Sequence, residues 1–192
     1  MKRLHVAVDL DDVCLDFTGG VKRSVEIEYG VQVPEITAWN LHDTLDPIIG
    51  HSWWKWMKAR DWLWPNFPAI PGAVGGIQRM RDAGHYVELV TSKPLWAEAA
   101  VWKWLGKWRL PVQRVTIVDM NTRKVDATDA DGIVDDKPET TLDFAQDGRF
   151  AIMFARSHNE SVYQSEQKYE EAGVVVAKDW NDVVRLVEEE AS

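Results

Sequence analysis

Short apolar runs that stop abruptly at polar groups set the pattern of this chain. Residues 4–17 read LHVAVDLDDVCLDF, where a strand-length run carrying the β-branched Val6 and Val8 ends at Asp9, Asp11 and Asp12. Residues 85–91 (HYVELVT) repeat the form and end in the hydroxyls of Thr91 and Ser92. A third run covers 112–118 (VQRVTIV), and a short fourth, 132–134 (GIV), ends at Asp135 and Asp136. Residues 150–154 (FAIMF) and 174–176 (VVV) predict two further strands.

Helical periodicity fills most of the intervals. Pro71 and Gly72 open a helix over 73–83 with Val74, Ile77 and Met80 on one face, and Gly84 ends it. A second helix spans 95–108, 119–131 reads as polar loop, and Asp179 caps a last amphipathic helix bearing Val183, Val184, Leu186 and Val187. Strands alternating with helices imply a mainly parallel sheet covered on both faces. Residues 18–71 depart from this scheme. They lack strand alternation and are interrupted by Gly19, Gly20, Gly30, Pro34, Pro47, Gly50, Pro65 and Pro68, with helical candidates at 20–29 and 51–63, which predicts a small, mainly helical insertion.

The chain of 192 residues fits one domain with a modest insertion and needs no disulfide or metal staple. A net charge of -9 argues against binding a nucleic acid polymer, which calls for a basic footprint, but admits a small phosphorylated substrate if local cations offset the field. Cys14, the single cysteine, permits no intrachain disulfide, fits a cytoplasmic location and reads as a buried, inert thiol. The apolar run after Lys2 and Arg3 is too short for a signal peptide, and no segment approaches the ~18 apolar residues of a membrane span. Of eleven tryptophans, ten concentrate at 39–64 and 96–108, and Trp180 stands alone. Those at 96, 102, 104 and 108 cannot share one helix face and read as core or as a partner surface, which leaves a homodimer open.

In a parallel sheet the strand ends share one edge, so Asp9 and Asp11, Thr91 and Ser92, and Asp135 and Asp136 converge. Asp9 and Asp11 are two apart and point to one side of a regular strand. Like charges that close need a cation or a shared proton, and magnesium suits an all-oxygen site. The plain alternatives are a solvated loop for the aspartates, helix capping before Pro94 for the hydroxyls, and a surface position for Lys124. The ordered set of strand ends outweighs the first. His5, His42, His51, His85 and His158 show neither metal-ligand nor triad spacing and receive no role. Asp126, Asp129 and Asp131 fail the calcium-loop register, because Ala127 and Pro138 would fall at its first and twelfth positions. GAVGGI at 72–77 is neither a dinucleotide nor a P-loop motif.

The first of these motifs, with Asp9 and Asp11 in place, Thr91 as the second, Lys124 or its neighbours Arg123 and Lys137 as the third, and Asp135 with Asp136 as the fourth, resembles the haloacid dehalogenase-like (HAD) hydrolases. Within them the chain is most similar to the 5'(3')-deoxyribonucleotidases, on VAVDLDDVCLDFTGG, FPAIPGAVGGIQRMRDAGHYVELVTSKP and VDDKPET. Asp12 departs from the pattern, since the family usually carries Gly there. The resemblance implies a HAD-like Rossmannoid three-layer sandwich of 1–17 and 67–192, with 18–66 as a small helical cap inserted after the first strand. It implies a Mg2+-dependent phosphomonoesterase in which Asp9 is the nucleophile that forms an aspartyl-phosphate and Asp11 the acid and base. That dual role needs Asp11 protonated as substrate binds, which repulsion from neighbouring carboxylates favours. Thr91, Ser92 and Lys124 would hold the phosphoryl group, and Asp9, Asp135 or Asp136, with the carbonyl of Asp11, the metal. Phe17, Trp39, Trp53 and Lys93 would meet the substrate, with Trp54 and Trp56 as further candidates for the nucleobase. The alternatives are a HAD phosphatase for another small phosphoester, a phosphotransferase, or a non-catalytic nucleotide-binding protein.

Overall fold

The computed structural model describes residues 2–192; Met1, which opens the core segment read from the sequence, lies outside them. Six strands, β1 (His5–Val8), β2 (Tyr86–Ser92), β3 (Arg114–Val118), β4 (Gly132–Asp135), β5 (Phe150–Phe154) and β6 (Val174–Ala177), form one parallel sheet. Their order is β3-β2-β1-β4-β5-β6. Val8 registers with Leu89 on one side and Val134 on the other. The winding reverses between β1 and β4, so their C-terminal ends flank the crevice where open α/β sheets bind ligands.

Side-chain alternation along β1 sorts the layers. Val6 and Val8 enter the larger core, and Ala7 the smaller one on the opposite face. Over the larger core pack α4 (Ala73–Asp82), α5 (Glu98–Trp108) and α9 (Trp180–Glu190). Over the smaller lie α6 (Pro138–Gln146) and α8 (Gln167–Glu171), which contribute Phe144 and Tyr169. Asp179 caps α9 as expected, accepting from the Asn181 and Asp182 amides at 2.7 and 3.0 Å. Trp180 then wedges between α9 and α4. Its Nε1 donates to the Val13 carbonyl at 2.9 Å, and a Cβ added at Gly76 would lie 2.5 Å from its ring.

Between β1 and α4 come α1 (Phe17–Tyr29), α2 (Leu41–Ile49), α3 (Trp53–Lys58) and a 3-10 turn at Asp61–Asn66. Here the structure corrects the sequence reading. Gly19 and Gly20 do not break α1, because the Phe67 ring packs where a Cβ on Gly20 would stand. Pro47 lies inside α2, a helix the pattern did not predict. The proline costs one intrahelical bond, while buried Leu45 and Ile49 and the Asn40 cap on the His42 amide hold the rest. The helix expected over 51–63 ends at Lys58, where Arg60 Nη1 turns back to the Trp56 carbonyl at 3.1 Å. The pattern also assigns no element to α6, α7 (Glu160–Ser165) and α8, whose polar sequences carry little periodicity. Among the described residues no helix is long and apolar enough to cross a membrane.

Candidate active site

The polar groups at the strand ends gather at the switch point. Asp9 follows β1 directly, its amide donating to the Val134 carbonyl at 2.9 Å, which ties the end of β1 to β4. Asp9, Asp135 and Asp136 are all buried and can each offer one carboxylate oxygen within 4.8 Å of the others. Asp136 Oδ1 has no hydrogen-bond partner although fully enclosed. Lys124, carried on a 3-10 turn at Lys124–Asp126 within the expected loop, reaches Asp9 at 2.5 Å and Asp135 at 2.7 Å. Of the three candidate cations, it is thereby Lys124 that enters the cluster. Asp135 also accepts from the Lys137 amide at 2.8 Å.

Asp11 turns away from that group. Its Oδ2 lies 2.5 Å from Lys93 Nζ, and the ammonium also sits 5.0 Å from the centre of the Trp64 ring. Its side chain is therefore not among the three that converge; the metal role expected of Asp11 was through its main-chain carbonyl. Lys93, expected at the substrate, is buried and committed to this pair. Burial is the main force pushing the Asp11 carboxyl above its ordinary range; Lys93 opposes it and Asp9 adds to it. The carboxylate repulsion expected from the sequence contributes through Asp9, behind burial.

Asp12 occupies the left-handed region at φ 55°. A Gly adopts that conformation freely, while aspartate tolerates it and here uses its carboxylate to accept from the Thr18 amide at 3.0 Å and from the Thr18 hydroxyl. Arg156 lies 3.6 Å from Asp12 and 3.1 Å from Asp16. Around the site five carboxylates (Asp9, Asp11, Asp12, Asp135 and Asp136) meet three fixed cations, Lys93, Lys124 and Arg156. Burial pushes Asp136 well up, with Asp12, Asp135 and Asp9 adding to it, and burial likewise raises Asp135 against the pull of Lys124. Burial disfavours a charged Lys124, yet Asp135 and Asp9 together hold its ammonium above the ordinary lysine range. The surplus of negative charge is what a divalent cation would neutralise, and the donor set is all oxygen.

The two hydroxyls of β2 point to opposite sides. Ser92 lines the cavity, whereas Thr91 is fully buried, does not line it, and leaves Oγ1 unpartnered. The cavity holds about 530 Å³ and extends from Asp9 to an aromatic wall of Phe17, Trp39, Trp53, Trp54 and Trp64. Phe17 is packed on Trp64 at 4.8 Å, and Trp53 stacks on Trp54 at 4.3 Å. Trp39 is half exposed at the mouth. Trp56, a further aromatic candidate, is fully buried under the Arg60 guanidinium and does not line the cavity. Of the tryptophans on the 95–108 stretch, Trp104 is core and Trp102 is half exposed. Cys14 is fully buried, and burial pushes its thiol well up, with Asp9 and Asp11 adding to it.

His158, to which spacing gave no role, stands in the site. Its Nε2 is 2.6 Å from Asp136 Oδ2, it lines the cavity, and it forms a second close group with Asp12 and Asp136. Spacing could not reveal it, because the histidine is 22 residues from its partner. Its place just after β5, the neighbour of β4, was the available signal.

Residues 3–188 match the family described as 5' nucleotidase, deoxy (pyrimidine), cytosolic type C protein. A curated protein of Chlorobaculum tepidum named "Putative 5'(3')-deoxyribonucleotidase" is 24% identical over 193 residues, which cover 95% of this chain and 89% of that one. Among solved structures, a predicted phosphatase from Clostridium acetobutylicum superposes with a TM-score of 0.66 at 13% identity, covering 98% of this chain and 100% of that one. The D,D-heptose 1,7-bisphosphate phosphatase of B. bronchiseptica, complexed with magnesium and phosphate, gives 0.55 at 15% identity and covers all of both chains. At such identities the two structures speak to the fold alone.

Proposed function

The chain belongs to the cytosolic type C 5' nucleotidase family of HAD-type phosphatases, and on that premise we propose that it is a magnesium-dependent phosphomonoesterase of deoxyribonucleoside monophosphates working through an aspartyl-phosphate. The observation that carries the reading is the buried group of Asp9, Asp135 and Asp136, of which Asp9 and Asp135, bridged by Lys124, line an aromatic-walled cavity. Its volume of about 530 Å³ falls in the range of small-molecule sites. The flat rings of Phe17, Trp39 and Trp53 suit a nucleobase. We assign residues 18–66 as a lid that excludes water over a core of 1–17 and 67–192.

Asp9, Asp135 and Asp136 fit magnesium, because all three offer oxygen and Asp136 Oδ1 has no other partner. When bound, the ion supplies positive charge that lets an anionic nucleophile and a phosphate dianion approach. Asp9 attacks phosphorus through a carboxylate oxygen, forming the Asp9–phosphoryl bond as the ester P–O bond breaks. Asp11 enters as the acid, a role favoured by the burial that raises its carboxyl, and gives its proton to the departing alkoxide. The Asp11 carboxylate then takes a proton from water, whose oxygen attacks phosphorus and releases phosphate and free Asp9. Lys124 holds Asp9 in place and supplies a fixed charge, and Ser92 offers its hydroxyl to the phosphoryl oxygens, whereas Thr91, expected to share that role, does not line the cavity.

The test is phosphate release from an aryl phosphate with magnesium and then with EDTA. Release that depends on magnesium and is lost in Asp9→Asn is expected. Release unaffected by either change rejects the mechanism. Deoxyribonucleoside monophosphates then compete with sugar phosphates, and equal rates on both would remove the nucleotide assignment.

A further inference from the structure

The contacts that His158 and Asn159 make with Asp136 have no part in the chemistry above. Asp136 is fully buried, and its two oxygens stand in different surroundings. Oδ2 lies 2.6 Å from His158 Nε2, while Oδ1 has no hydrogen-bond partner. His158 is itself buried and belongs to a turn built rigidly onto the sheet. Asn159 Nδ2 donates to the Asp136 carbonyl at 2.7 Å and to the Phe154 carbonyl at 2.9 Å, and its Oδ1 accepts from the Arg156 amide at 2.9 Å. One asparagine thus ties the backbone that carries His158 to the backbone that carries Asp136. From the opposite side, Trp39 meets the imidazole edge-on at 5.1 Å, and Ser157 Oγ donates to Glu35 at 2.8 Å.

We propose that His158 is a positioning residue that commits one oxygen of Asp136 and so presents the other to a divalent cation, with Trp39 closing over the imidazole from the insertion. A carboxylate that holds a cation can only accept a hydrogen bond. The imidazole proton must then sit on Nε2, and the ring acts as a donor with a fixed orientation. Without that donor the Asp136 carboxylate is free to rotate about its terminal torsion, which is broad and roughly two-fold. Outer partners of metal-binding carboxylates act in this way, and their removal weakens metal binding by about 10–100-fold. A cation lodged directly between His158 and Asp12 is a poorer account, because Thr18 already occupies the Asp12 carboxylate and Arg156 stands beside it.

The inference rests on the proposed reading of Asp9, Asp135 and Asp136 as cation ligands. Its test is calorimetric titration of magnesium into the metal-free protein, comparing wild type with His158→Leu and His158→Gln. Leu keeps the bulk without a donor, whereas Gln places an amide N–H near the position of Nε2. We expect His158→Leu to weaken magnesium binding by about 10–100-fold and His158→Gln to regain most of it. Turnover of His158→Leu should recover at saturating magnesium, which a merely structural lesion would not allow. If His158→Leu does not fold, His158→Asn, too short to reach Asp136, should show the same weakening. Wild-type affinity in the donor-less variants, or His158→Gln no better than His158→Leu, overturns the inference. A wild-type protein that binds no magnesium overturns the reading beneath it instead.

Discussion

Lys124 shows how much of the site hangs on a single side chain. Its ammonium stands between Asp9 and Asp135, all three are buried, and removing it leaves two buried carboxylates facing one another. Breaking a buried pair in this way costs about 3–5 kcal/mol, much more than the pair contributes net. Lys124→Met should lose that much in urea unfolding with EDTA present, and magnesium should return part of it, because a cation held by the same carboxylates stabilises the folded state by mass action. Unchanged stability in EDTA would remove Lys124 as the electrostatic centre of the site. The residues flagged by ending an apolar run, Asp9, Ser92, Asp135 and Asp136, were legible because strand ends in a parallel sheet converge whatever their sequence distance. Lys124 was visible only as one of three cations, since which of them enters depends on a 3-10 turn inside a polar loop. The Lys93 pairing with Asp11 and the His158 pairing with Asp136 were illegible for a related reason: each joins residues far apart in the chain, 82 and 22 positions, with no periodic signal at either end.

At the level of elements, the contact between α4 and α9 gives a contrast within one helix. Gly75 and Gly76 are neighbours in α4, and Ala would raise the helix propensity of either by about 0.8–1.0 kcal/mol. A Cβ at Gly75 meets nothing within 4 Å, while one at Gly76 meets the buried Trp180 ring at 2.5 Å. Overpacking of this kind costs about 1–3 kcal/mol. Gly75→Ala should therefore raise the thermal midpoint by about 2–4 °C and Gly76→Ala should lower it. Equal shifts of the same sign would show that Trp180 yields without cost. The strands were readable as short apolar runs buried on both faces, and the helices α4, α5 and α9 by the one apolar face that each buries with the helical period. The insertion was readable only as mainly helical. There Pro47 is carried inside a helix and Gly20 is dictated by the Phe67 ring, so tertiary packing decides what local punctuation would have broken.

Across the whole molecule the charge runs against the proposed substrate. The chain carries a net charge of -9, and the cavity repeats that sign, with Asp9, Asp11, Asp12, Asp135, Glu139 and Asp143 against Lys93, Arg123, Lys124 and Lys137. Two of the four cations are already engaged by the site's own carboxylates, and Arg123 is paired with Asp143 at 3.1 Å. A phosphate dianion entering the cavity therefore meets unbalanced negative charge. At about 4 Å and an effective dielectric of about 20, each like-charged pair costs about 4 kcal/mol. Contacts with Ser92 and the aromatic wall do not offset a cost on that scale, since a hydrogen bond contributes only about 1 kcal/mol net. Binding should then be ordered, with the cation arriving before the phosphate. Inorganic phosphate titrated into the metal-free protein should give no binding heat, and the same titration in magnesium should saturate. Because the two ligands are linked, phosphate should tighten magnesium by the same factor by which magnesium tightens phosphate. Phosphate bound equally well in EDTA would mean that the lysines alone balance the site, and the charge surplus among its carboxylates would need another owner.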